Sequence, residues 1–206
     1  MGLAIIYSRA SVGVQAPSVS VEVHISNGMP GFTLVGLPET TVKESRDRVR
    51  SAIINSRFEF PAKRITVNLA PPLICQKEGG RFDLPIALGI LAASEQIPTT
   101  HLADQEFIGE LALSGELRRV KGVLPAALAA QQVQRCLVVP KHNGSQAALV
   151  GEGLHKSASS LVEVCAALCG QQPLGLFFRG RLSTLRMLPQ RATYRISSVS
   201  SRVSER

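Results

Sequence analysis

Apolar and polar positions alternate from Val19 to Ile25, with Val21, Val23 and Ile25 set against Glu22 and His24, the two-residue period of a half-buried strand. Leu3 to Tyr7 reads as a strand before it. Asn27-Gly28 followed by Pro30-Gly31 is turn chemistry, so Phe32 to Val35 is expected to return as an adjacent strand. Pro38, Glu39 and Thr40 then open a charged helix reaching Arg57. It turns Val42, Val49, Ile53 and Ile54 inward and Lys43, Glu44, Arg46, Asp47, Arg48 and Arg50 outward. Ile65 to Leu69 alternate again, and Pro71 and Pro72 stop that strand because neither can donate to a sheet ladder.

Helix resumes near Asp83, which is expected as its N-cap, with Pro85 in the first turn and an apolar face of Ile86, Leu88, Ile90 and Leu91. Phe107 to Leu113 predicts another strand and Ser114-Gly115 a turn. Leu124 to Gln134 predicts an alanine-rich helix, and Leu137 to Val139 a short strand closing near Pro140. Strands pair as a hairpin early and alternate with helices late. The class is mixed α/β, a partly antiparallel sheet with helices packed on it.

The loop Lys77, Glu78, Gly79, Gly80, Arg81 to Asp83 sits where a strand hands over to a helix. Free N–H groups and the helix dipole favour an anion at such a place. Here Asp83 already offers those donors a carboxylate, and no Ser, Thr or Cys stands next to the helix. The phosphate-loop pattern is absent, and no Gly-Lys pair occurs in the chain. The simpler reading is a tight turn that needs glycine backbone angles.

Charge changes the picture only once it is located. The net charge of +8 falls mostly after Gln171, where seven arginines face Glu205 alone, leaving +2 for residues 1–170. The Arg/Ser-rich tail 171–206 is therefore read as disordered or as an aberrant, out-of-frame continuation of a truncated protein, with a nucleic-acid-binding basic arm as the alternative. Within the domain, Lys43, Arg46 and Arg50 share one helix stripe, which Lys63 and Arg64 extend. These five are the candidates for contact with nucleic-acid phosphates or a neighbouring subunit; the alternative is a solvated face of mixed sign.

His24, His101, His142 and His155 are scattered, and Cys75, Cys136, Cys165 and Cys169 lack zinc spacing, so no metal site is expected. The histidines read as surface or turn residues and Cys165 and Cys169 as free buried thiols. No apolar run is long enough to span a membrane, and a cytoplasmic location is expected.

Three stretches carry a resemblance: VEVHISNGMPGFTLVGLPETTVKESRDRVRSAIINSRFEFPAKRITVNLAP, KEGGRFDLPIALGILAASEQIP and FIGELALSGELRRVKGVLPAALAA. Over residues 2–170 the chain resembles the amino-terminal domain of the ComM/YifB family, bacterial magnesium-chelatase-like AAA+ ATPases. The resemblance implies a domain, 1–170, similar in fold to the Lon protease domain and to ribosomal protein S5 domain 2. It implies a non-catalytic role in assembly or DNA engagement within a hexameric ATPase that promotes DNA branch migration during natural transformation. ATP and Mg would belong to the motor, whose Walker motifs this chain lacks; no cofactor is expected for the chain itself, and a homo-oligomer only with the motor.

The Lon-like resemblance also brings a rival, a Ser–Lys protease. Carrying the alignment across puts Arg81 at the serine and Leu124 at the lysine, so no catalytic residue is expected. Two segments depart from the family pattern. The run Pro71 to Lys77 has one residue more and one acid fewer, and His155 to Ser160 replaces a short apolar strand.

Overall fold

A computed structural model describes residues 2–71, 79–151, 153–178 and 181–183. Its first strands, β1 (Gly2–Arg9) and β2 (Ser18–Ser26), form an antiparallel pair in which Gly2 faces Ile25 and Arg9 faces Ser18. The early hairpin is thus β1 with β2. The next strand, β3 (Gly31–Val35), does not return against β2 as its turn chemistry suggested; it runs parallel to β4 (Arg64–Ala70), which lies between them. Helix α1 (Glu39–Asn55) is the reason, since parallel strands need a crossover and a helix supplies it.

Beyond β4 come a 3₁₀ turn (Gly79–Phe82) and α2 (Asp83–Ala93). The expected strand from Phe107 to Leu113 is split into β5 (Gln105–Phe107) and β6 (Glu110–Leu111), the latter paired with β7 (Leu117–Arg118) in a separate two-stranded sheet. Gly109 marks the break: a Cβ there would lie 2.9 Å from Leu117 Cδ2, so glycine lets the chain pass close to β7 without displacing that side chain. The chain continues through α3 (Val123–Gln132), β8 (Cys136–Pro140), α4 (Gly144–Ala147), β9 (Lys156–Ala158), α5 (Leu161–Leu168), β10 (Gly175–Phe178) and β11 (Arg181–Ser183).

The main sheet has the order β11-β10-β9-β8-β5-β1-β2-β4-β3, with parallel and antiparallel pairs mixed, so the class is mixed α/β as read from the sequence. It includes β9, where the residues His155 to Ser160 had pointed away from a strand. Strands β10 and β11 carry the sheet past Gly170, and Leu174 is buried. Residues 184–206, most of the basic tail, lie outside the described residues.

Two apolar clusters sandwich the sheet. Alternate residues of β8 separate them, with Val138 in the larger cluster under α2 and α5, and Leu137 and Val139 in the smaller one under α3. The α3 layer is local, leaving Leu3 and Ile5 of β1 exposed at 66% and 44%.

Helix α2 has no polar side: all eleven of its residues are buried, between β1 and β2 on one side and α1 on the other. This replaces the single apolar face inferred from its sequence. Gly89 lets it approach the sheet, since a Cβ there would lie 2.4 Å from Val23 Cγ2. Helix α1 buries Ser45, Val49, Ala52 and Ile53, whereas Ile54 points out at 48% exposure, one position past the inward stripe.

Candidate functional site

Helix α1 starts after Pro38, which is extended and offers no side-chain cap, and ends at Ser56, after which Arg57 takes a left-handed conformation at φ 66°. That reversal directs Phe58 to Lys63 back along the helix, and Phe58 N–H donates to Ile53 O at 3.1 Å. Lys63 then meets the start of β3, where Gly31 N–H donates to its carbonyl at 3.3 Å. The result is a cleft of about 470 Å³ whose lining includes Phe32, Arg46, Asp47, Arg50, Phe60 and Lys63.

Three of the five cations singled out in the sequence share this cleft. Arg46 and Arg50 come from one side, one helical turn apart, and Lys63 from the other. Arg46 Nε lies 3.1 Å from Asp47, an exposed pair that contributes little by itself. The guanidinium of Arg50 sits 5.0 Å from the centre of the Phe60 ring. Lys43 is exposed on α1 and Arg64 at the start of β4, and neither lines the cleft. Sequence reasoning missed the two phenylalanines; the pairing of Phe60-Pro61 with Lys63-Arg64 was the available signal.

Arg48 does not join its charged neighbours outside. Its Nε donates to Asp83 Oδ2 at 2.7 Å, while Ser45 Oγ donates to Oδ1 at 2.6 Å and Leu111 N–H to Oδ2 at 3.3 Å. Asp83 is therefore not the N-cap of α2. It is the first helical residue, with a carboxylate buried among partners from two other elements, α1 and β6. Burial raises its pKa to about 6 against the opposing pull of Arg48 and Ser45.

The glycine loop serves the same packing role. Arg81, 3% exposed, donates to the carbonyls of Arg9 at 2.5 Å, of Lys121, and of Gly122 at 3.4 Å. Leu84 N–H is taken by Gly109 O at 3.0 Å, and a Cβ on Gly80 would come within 2.6 Å of a Glu110 carboxylate oxygen. A used amide and an approaching acid leave poor terms for an anion. Lys77 and Glu78 lie outside the described residues.

At the positions aligned with a Ser–Lys dyad, Arg81 is thus a buried clasp and Leu124 is 39% exposed on α3. Ser114 accepts Glu116 N–H at 3.4 Å within its own turn. Among the described residues no cluster of His, Cys, Asp and Glu could hold a metal ion.

His155 is not a surface residue but 3% exposed, its Nδ1 accepting Leu137 N–H at 3.2 Å. Cys165 is buried, with its thiol pushed up to about 12 by burial and then by Cys169, whereas Cys169 itself is exposed. No helix among the described residues is long and apolar enough to cross a membrane.

The family model described as subunit ChlI of Mg-chelatase matches residues 21–143, the span from β2 through α3 and β8. Competence protein ComM of Haemophilus influenzae is 61% identical over 176 residues, 85% of this chain and 34% of that protein. YifB of Escherichia coli is 55% identical over 84% of this chain and 34% of its own length. Rv2897c of Mycobacterium tuberculosis is 36% identical over 93% of this chain and 37% of its own. The chain thus spans about a third of the length of these relatives. With a matched span that takes in most of the sheet and both walls of the cleft, the chain belongs to the magnesium-chelatase ChlI family, in its ComM/YifB branch.

Proposed function

We propose that this chain is the non-catalytic amino-terminal domain of a ComM-type AAA+ ATPase and that it engages DNA. The setting is branch migration during natural transformation in the cytoplasm; ATP, Mg and hexamer formation belong to the motor that family members carry. One observation supports the reading most: Arg46, Arg50 and Lys63 surround a single cleft with only Asp47 against them. Three cations around one concavity suit a phosphate backbone, whereas a merely solvated helix face would not need a facing lysine from the next segment.

Titrating labelled oligonucleotides with the full chain across a salt series tests this. Binding should weaken linearly on logarithmic axes, and Arg46→Glu with Lys63→Glu should flatten the slope by about 0.7–0.9 per lost phosphate contact. An unchanged slope in the double variant, or no binding at all, removes the reading.

A further inference from the structure

The cleft contains more than charge. Phe60 and Phe32 are half-buried rings in its lining, Phe60 in the segment after α1 and Phe32 on β3, and Pro61 and Pro30 line it too. Arg50 lies over Phe60, so a planar cation already caps one ring. A duplex presents phosphates on a convex surface and keeps its bases stacked inside. A volume near 470 Å³ falls in the range of small-ligand pockets, enough for one nucleotide and too confined for a paired helix.

We infer that the cleft takes an unpaired base of a single-stranded nucleic acid, stacked on the Arg50–Phe60 pair, with the flanking phosphates on Arg46 and Lys63. Every base has a π-face, so such stacking is tolerant of sequence, and the guanidinium plane of Arg50 extends the platform. The inference rests on the nucleic-acid reading above and adds the strand state and the stacking partner. A free nucleotide offers the same base and phosphate. The strand is favoured because Arg46, Arg50 and Lys63 all line the cleft, more cations than the single phosphate of a mononucleotide would engage.

The test compares a labelled single strand with the duplex of the same sequence on the full chain, using anisotropy. The single strand should bind about tenfold tighter or better, and thymidine monophosphate in excess should not displace it. Phe60→Leu, which keeps an apolar side chain against the core, should weaken single-strand binding about 5- to 150-fold. Arg50→Lys, which keeps the charge at an exposed position but loses the plane, should weaken it in the same direction without altering the melting temperature. Duplex affinity should not change with either stacking variant. Equal binding of strand and duplex, with both variants silent, overturns the stacking inference and leaves the phosphate reading standing. Displacement by the mononucleotide overturns the strand assignment, and absence of binding to either oligonucleotide overturns both.

Discussion

Arg9 grips Glu106 with two hydrogen bonds, Nε to Oε2 at 2.6 Å and Nη2 to Oε1 at 2.9 Å, across the parallel step from β1 to β5. The side chains are 7% and 0% exposed, and a third Arg9 nitrogen donates to Ala16 O at 3.0 Å. Arg135 approaches the same carboxylate at 3.5 Å and stacks over Tyr7 at 3.7 Å.

Removing Arg9 leaves the buried Glu106 with only the longer contact to Arg135, and removing Glu106 leaves the Arg9 charge buried without its carboxylate. Arg9→Met or Glu106→Leu alone is expected to cost about 3–5 kcal/mol in urea unfolding, and the double substitution should recover much of the loss. Additive single costs would show that the pair is not coupled.

Asp83 offers a pH signature. Its folded pKa, about 6, lies above its ordinary 3.8, so the folded state holds the proton more tightly. Its contribution to stability is fully present below pH 3.8 and is lost as pH rises through 6. Carboxyl carbon shifts should titrate near that value, and Arg48→Met should move the midpoint upward because the opposing cation is gone. A midpoint that stays put in the variant would deny Arg48 its role.

His155 works in the other direction. Burial lowers its pKa below 6.5 despite the pull of Glu106, and proton uptake at Nδ1 would set an N–H against the Leu137 N–H it now accepts. Its stabilising effect is present above pH 6.5 and fades as the pH falls below it. Denaturation curves of wild type and His155→Gln, taken from neutral to mildly acid pH, should converge on acidification. The difference between the two proteins isolates His155 from Asp83.

Gly89 inverts the usual propensity rule. In an exposed helix interior, Gly→Ala stabilises by about 1 kcal/mol. Here the new methyl would lie 2.4 Å from Val23 Cγ2, on a fully buried β-branched side chain that is stiff at χ1. Gly89→Ala should therefore lower stability by about 1–3 kcal/mol, read as a lower urea midpoint with unchanged slope.

The elements legible in the sequence were those with a local period. Val21, Val23 and Ile25 identified β2, and the alanines of α3 identified a helix, because side-chain alternation or spacing is set by neighbours in the chain. The position of β3 was not legible, since the turn after β2 cannot reveal that a later strand will slot in between. Asp83 looked like a cap for a similar reason: Ser45 and Arg48, which bury it, lie 38 and 35 residues away. In the cleft, the spacing of Arg46 and Arg50 was visible. That Lys63 faces them and Lys43 does not depends on the reversal at Arg57, which sequence chemistry does not announce.

The pairing of Tyr7 with Glu106 also has a temporal side. The two halves of the buried ion pair beside it are separated by 97 residues, so during translation the first hairpin emerges long before its central neighbour exists. At ordinary ribosomal speed that interval is on the order of 5 to 20 s. Until β5 arrives, one flank of β1 has an unfilled ladder and Arg9 an unmatched cation. The nascent segment ahead of β5 must therefore stay open, and available to chaperones, until Glu106 has been translated.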